Sequence, residues 1–572
     1  MPGAHAPGDR RPVSCLFSIE KTSRFGPYCA RSDLLGILAI VVPRSGNLVH
    51  ALSSLAVCGA LLFACVPFRA RAEAGQPPRA AILRARLNSD IVSTDPGTRR
   101  DENTDGVLLH IVEGLVGSRE DGSVGPMLAS RWSISPDGRV YTFALRPEVV
   151  FHNGAPLTSA EVVWSLQRYL KPETRWRCLE VFGPNGIARV LAVKASDPHT
   201  VEVTLDRAAP MFLTTLARAD CGATGIMHPD SVGADGSWLA PIGTGPFQLG
   251  EWRHNQFVQL KRFPRYAALP GPRDGNIGGK HALVDELRFL VIPDSSAARA
   301  ALVRGSLDVI DNLYPSELMG IRGRKDLLFQ SVPVLDCYSV LMQTRDPVLR
   351  DVRIRTAIAL TIDAPALTKA ITRGTGTANN SPIPAASPFH SPVEARLRTV
   401  DVEKARQLLK ASGYDGRAIK IITSRRDPQM FDTAVIVQAM AAQAGIRLQI
   451  DTLDWPAHLA RYTTGDYQMM VESFSARLDP TLSFGLFIGD KRREPRKTWD
   501  TQGARDLLDE ATRTADPTLR QTIFDQLSRD FLQEVPAVVL FNSARLSVVR
   551  AAVTGHQNWM SAQPRLWGVG LR

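Results

Sequence analysis

Tyr141, Phe143 and Leu145 fall on every second position, the period of a half-buried strand. Just before them, Ser135-Pro136-Asp137-Gly138 is a tight-turn sequence. Proline is pre-set for its second position and glycine is free to take its last. Trp132 lies on the other arm of the hairpin this turn predicts. Further on, Thr158 and Glu161 form a T-x-x-E capping box ahead of a helical stripe of Val162, Leu166 and Tyr169. Residues 113–170 therefore predict a hairpin, a strand and a capped helix. Strand-like and helix-like segments go on alternating from Ala81 to Arg572 without repeats or low-complexity tracts, which predicts an α/β protein.

The front of the chain has a different pattern. Leu48 to Val66 is an apolar run broken only by His50 and two serines, with Arg44 before it and Ala70-Arg71-Ala72 after it. A charged flank, an apolar stretch and an A-x-A exit predict a signal peptide ending near residue 72, with a membrane-spanning helix as the alternative. The apolar run lies far from Met1, so residues 1–40 are expected to be an upstream extension of a leader that starts near Val41 or Val42. Leu62-Phe63-Ala64-Cys65 resembles a lipoprotein box, which would anchor Cys65 to a membrane surface.

Beyond residue 72 about 500 residues remain, too many for one core, so two or three lobes are expected. Net charge is +11 for the whole chain and about +6 beyond the leader, which gives no case for nucleic acid. The basic run from Lys491 to Lys497 reads as a solvated loop. Of the seven cysteines only Cys178, Cys221 and Cys337 follow the leader, and none has zinc-ligand spacing. In an oxidising compartment Cys178 and Cys221 are a candidate disulfide, leaving Cys337 as a buried thiol. Gly275-Asn276-Ile277-Gly278-Gly279-Lys280 superficially suggests a phosphate-binding loop, but His281 stands where a magnesium-binding hydroxyl belongs. It reads as a flexible surface loop, as does Gly374-Thr375-Gly376-Thr377. No nucleophile elbow or H-E-x-x-H motif occurs. His152 reads as a turn histidine that bonds its own backbone, and Asp506, Asp509 and Glu510 as a solvated helix face. No catalytic residue, metal site or cofactor is expected.

Several segments carry a family resemblance. They are Ile91 to Pro96, Glu113 to Leu170, Pro241-Ile242-Gly243-Thr244-Gly245-Pro246-Phe247 with Trp252, Phe263-Pro264-Arg265-Tyr266, Val284 to Asp308, Asp351 to Ile358 and Glu403 to Gly416. In this order they resemble the family 5 extracellular solute-binding proteins of ABC importers, the dipeptide-, oligopeptide- and nickel-binding group. In the last segment Asp401 can cap a helix that faces Ala405, Leu408 and Leu409 inward and ends at Gly413.

The resemblance implies a large two-lobed periplasmic-binding-protein fold of class II. Lobe one would span 73–336, with an extra subdomain near 116–240, lobe two 337–538, and 539–572 would return to lobe one. Two hinge strands would cross near Cys337-Tyr338 and Val539-Leu540-Phe541. Ligand would enter the cleft and the lobes close over it.

In the peptide-binding members an aromatic and an acid precede a "DP" pair at a strand exit, and the acid grips the peptide's amino group. Here the segment is Ser473-Phe474-Ser475-Ala476-Arg477-Leu478-Asp479-Pro480, one residue shorter, with Arg477 in the place of the acid. An arginine repels an ammonium and can hold a carboxylate through two N–H groups. Arg477 would read an anionic group, or else sit at the rim paired with Asp479 or solvent. Ser473, Phe474, Ser475, Arg477, Asp479, Trp455 and Tyr338 are the candidate ligand residues. Thr94, Asp95 and Glu113 read as local structure.

The function this implies is capture of a peptide or peptide-like solute in the periplasm for an importer permease, by a monomer that binds no nucleic acid. The alternatives are a non-peptide solute (an opine, modified amino acid, sugar-related compound or chelated metal) and, from another class, a secreted enzyme or periplasmic chaperone.

Overall fold

The Ser135 turn closes with Gly138 N–H donating to the Ser135 carbonyl at 2.8 Å, and Gly138 takes a φ of 69° that side chains disfavour. It joins strands Ala129–Ile134 and Val140–Leu145, and Tyr141, Phe143 and Leu145 are the buried positions of the second. Helix Ser159–Tyr169 starts with the reciprocal cap read from sequence. The Glu161 carboxylate accepts from Thr158 N–H at 2.9 Å, and Thr158 Oγ1 accepts from Ala160 N–H. These are features of a computed structural model that describes residues 81–572 apart from 184–185, 319–320 and 322. The leader, its upstream extension and Cys65 lie outside the described residues.

Three larger sheets organise the chain. The first has seven strands in the order Leu327–Pro333, Ala544–Arg550, Val309–Ile310, Ile82–Leu87, Glu286–Val291, Phe257–Arg262 and Phe247–Arg253. Its centre is parallel and its flanks antiparallel. The second has six strands in the order Thr377–Ala378, Ala537–Asn542, Cys337–Met342, Met469–Phe474, Ile419–Ser424 and Leu448–Leu453. A four-stranded antiparallel sheet, Ala129–Ile134, Val140–Leu145, Thr200–Leu205 and Val190–Asp197, stands beside the first. The seven- and four-stranded sheets share one continuous core, whereas the faces of the six-stranded sheet are covered by two others.

The chain passes twice between the large sheets, at Val334–Asp336 and at Ser543. The second passage comes later than the boundary expected at 538/539. Ala537–Asn542 stays paired with Cys337–Met342 as far as Phe541 and is buried throughout. Its run from Ala537 to Phe541 is uniformly apolar and gives no sign of where that pairing ends. The two passages are tied together: Ser543 N–H donates to Asp336 Oδ1 at 2.7 Å and Asn542 Nδ2 to the Asp336 carbonyl at 2.6 Å.

Cys178 and Cys221 form a disulfide, with Cα atoms 5.5 Å apart, and Cys337 is a buried free thiol. Three local expectations change. The Gly275–Lys280 loop is not a flexible surface segment, because Asn276, Ile277 and Lys280 are buried and Lys280 pairs with Glu113. His152 Nε2 lies 3.1 Å from the Gly245 carbonyl, in another segment rather than its own turn. Within the Lys491–Lys497 run, Lys491 and Lys497 are buried against Thr344 and the Gly485 carbonyl, while Arg492 and Arg493 are exposed.

Candidate ligand cleft

Strands Ile419–Ser424, Leu448–Leu453 and Met469–Phe474 run parallel and end at one edge of the six-stranded sheet. Helices Pro428–Ala442 and Trp455–Thr464 connect them, so each helix begins at that same edge. Asp427 and Asp454 cap those helices, accepting from Gln429 and Ala457 N–H. The carboxyl ends of parallel strands are where α/β sheets place ligands. Here the edge brings Asp427, Trp455 and the 473–480 segment together beside Tyr338.

Each candidate has a definite setting. Tyr338 is buried, stacked on Phe541 at 4.5 Å, and donates its hydroxyl to Asp427 at 2.6 Å. Trp455 is half-buried under the Arg426 guanidinium, 4.7 Å from its ring, and stacks on His458. His458 in turn pairs with buried Glu472 at 2.8 Å. Ser473 rests against Met430, and Ser475 is exposed. Phe474 is largely taken up by its own lobe, between Phe487 and Tyr462. Asp479 caps helix Pro480–Phe484 and is held by Arg520 at 2.8 Å, so its buried carboxylate is engaged within its own lobe. It is therefore not the partner of Arg477 considered from sequence.

Arg477 instead bonds its own loop. Its Nη1 donates to the Ser475 carbonyl (3.0 Å), Ser475 Oγ (2.8 Å) and the Ala476 carbonyl (3.1 Å), which fixes the guanidinium plane. Its electrostatic neighbours come from across the cleft: Asp220, Arg218, Arg100 and Arg177. Burial lowers its pKa, opposed first by Asp220. Leu478 lies over Gly122, and Arg520 Nη2 is 3.5 Å from Met211 Sδ, so the 477–520 region touches the other lobe at two places.

At the hinge end the charge is opposite. Asp336 is pushed up to about 7, chiefly by burial and then by Asp427 and Glu102, while Ser543 pulls the other way. Burial also raises Asp427. Since the folded pKa of Asp336 exceeds its unfolded value near 4, its proton is retained on folding between pH 4 and 7. Stability that is full below pH 4 should therefore fall as pH rises towards 7. In Asp336→Asn this part of the slope, on the order of 1–4 kcal/mol over the window, should vanish in denaturant titrations run from pH 4.5 to 7.5. A variant with the wild-type slope would refute the assignment.

A profile described as "Bacterial extracellular solute-binding proteins, family 5 Middle" matches residues 123–495, well over half of the chain. The chain belongs to this family. The "Dipeptide-binding protein" of Escherichia coli (strain K12) is 26% identical to this solute-binding protein over 485 residues, 80% of this chain and 88% of the relative. Two solved structures share its fold. One is the periplasmic binding protein AgaA of A. tumefaciens R10 in complex with agropinic acid, with TM-score 0.72, 24% identity, and 86% and 99% of the two chains covered. The other is DppA of Helicobacter pylori in complex with the peptide STSA, with TM-score 0.73, 23% identity, and 86% and 98% covered. The two-lobed periplasmic-binding-protein architecture is thus the shared fold. Among the described residues no helix is long and apolar enough to cross a membrane.

Asp336, Asp427, Arg177 and Arg218 were not singled out from sequence. The first two look like cap and turn residues. The arginines acquire meaning only when the disulfide and the inter-lobe contact bring their segments together.

Proposed function

We propose that this chain is the periplasmic solute-binding subunit of an ABC importer, which captures a peptide or peptide-like solute between two lobes and passes it to the permease. The observation that carries this reading is a pair of large sheets between which the described chain passes at Val334–Asp336 and at Ser543, with Leu478 and Arg520 of one lobe lying against Gly122 and Met211 of the other. Two short passages tied to each other make a hinge, and hinge closure can enclose a solute. Among the described residues the lobes in this reading are 81–336 together with those from 543, and 337–542, with the 116–240 region as an added part of lobe one. Tyr338, Trp455, Ser473, Phe474, Ser475 and Arg477 are the contacts we assign to the closed cleft. Phe474 and Tyr338 would act mainly as walls, given their burial. Extended peptides also bind through backbone hydrogen bonds, which side-chain lists do not capture. Secretion past a leader and release to a permease complete the reading, and binding proceeds without turnover.

Calorimetric titration of the protein, stripped of carried solute, with a panel of di- and tripeptides tests it. A saturable one-to-one isotherm for some members, with a smaller radius of gyration in X-ray scattering, is expected. Flat isotherms for every peptide, beside binding of N-substituted amino acids, would move the assignment to an opine-type solute.

A further inference from the structure

Arg477 of lobe two lies within electrostatic reach of three lobe-one guanidinium groups, Arg218, Arg100 and Arg177, and two of the four have bonding capacity to spare. Arg218 is engaged, gripping Asp220 through Nε (2.9 Å) and Nη2 (2.7 Å). Arg100 is engaged with buried Asp105. Arg477 is held by one nitrogen alone, so its Nε and Nη2 have no partner among the described residues. Arg177 has no side-chain hydrogen bond or ion pair among them at all, and it is exposed.

The lobe-one arginines are held on a braced platform. The Cys178–Cys221 disulfide joins the segment of Arg177 to that of Arg218 and Asp220. Trp176 Nε1 donates to the Cys221 carbonyl at 2.9 Å, and Arg177 N–H donates to the Gly97 carbonyl at 2.7 Å. Gly97 and Gly222 pack so closely that a Cβ on either would meet backbone atoms at 2.5 Å. Three chain segments are thereby locked together on the lobe-one side, within electrostatic reach of Arg477. Like charges crowded at such a contact oppose closure unless something neutralises them.

We propose that this cluster is the site for a carboxylate of the solute, bound by the free edge of Arg477 from lobe two and by Arg177 from lobe one. The solute class is accordingly acidic: a peptide or peptide-like compound that offers a carboxylate to the two arginines. This rests on the binding function proposed above. Bridging the lobes makes the anion part of closure, because its charge adds to that of Asp220 in offsetting the repulsion among the arginines. A planar guanidinium with two free N–H groups matches a carboxylate edge in a way an ammonium cannot.

The test compares Ala-Glu, which carries two carboxylates, with Ala-Gln-amide, which carries none, in calorimetry on the stripped protein. Glutarate and glutaramide are compared in thermal-shift runs as fragments independent of peptide binding. Wild type should bind Ala-Glu about tenfold or more tightly than Ala-Gln-amide, and glutarate alone of the fragments should raise the melting temperature. Arg477→Gln and Arg177→Gln should each lose that preference while keeping the wild-type circular dichroism spectrum, and Arg477→Lys should restore part of it. Equal affinities in wild type, or a preference that survives both glutamine variants, would overturn the inference while leaving peptide binding intact. No saturable response to Ala-Glu or glutarate would overturn it whatever the wider panel shows.

Discussion

Cys178→Ser combined with Cys221→Ser should lower the unfolding free energy by about 4 kcal/mol, the chain-entropy value for a loop of this length. The bridge closes a sequence separation of 43 residues. Both sulfurs lie in the continuous core shared by the seven- and four-stranded sheets, so the variant also exchanges two buried thioether-like contacts for smaller hydroxyls. Urea titration of variant and wild type reads the loss. In denaturant, thiol reagent should find Cys337 reactive in the wild type and Cys178 and Cys221 unreactive. Reactive thiols at both positions, or equal urea midpoints, would show that the bridge does not form in the protein. A second consequence follows if the arginine platform works as proposed: the same variant should bind Ala-Glu more weakly, because Arg177 and Arg218 are no longer stapled together.

The second large effect is expected at Lys280. It is 2% exposed, its Nζ lies 3.2 Å from Glu113 Oε1 and 4.6 Å from the centre of the Trp567 ring. Glu113 is equally buried and also accepts from Tyr266 Oη at 2.9 Å and Thr244 Oγ1 at 3.1 Å. Lys280→Met leaves a buried carboxylate with two neutral donors and no counter-charge. Removing one partner of a buried pair costs about 3–5 kcal/mol, far more than the pair contributes relative to apolar residues. Glu113→Gln added to Lys280→Met should recover a substantial part, since the stranded charge is gone. The melting temperature of the three proteins, followed through Trp567 and the other tryptophans, measures this. Additive losses in the double variant would contradict the buried-pair explanation.

What could be read from sequence divides along the same physical line. The Ser135 turn, the Thr158 cap and the Asp401–Gly413 helix were legible because their causes lie within a few residues of their effects. Asp401 accepts from Lys404 N–H at 2.8 Å and Gly413 closes the helix at a φ of 73°. The Gly275–Lys280 loop was misread because the partner that buries Lys280 lies 167 residues earlier. The second passage lies beyond 538/539 because Ala537–Phe541 is one apolar run that stays paired within the sheet. At the site, Arg477 stood out as a departure from a family pattern, but its surroundings did not. Asp479, the second residue after Arg477, belongs to Arg520 on a helix 41 residues on. Arg177 lay unmarked beside a cysteine until the disulfide showed what it faces.

Solute capture in a closing cleft is tested most directly by native mass spectrometry of the secreted protein, purified without denaturant. The expected result is a single small-molecule adduct per chain that is lost on unfolding and, when returned to stripped protein, gives a one-to-one isotherm and a smaller radius of gyration. A protein that carries no adduct, gives flat isotherms with peptides, dicarboxylates and N-substituted amino acids, and keeps one radius under all conditions would contradict it.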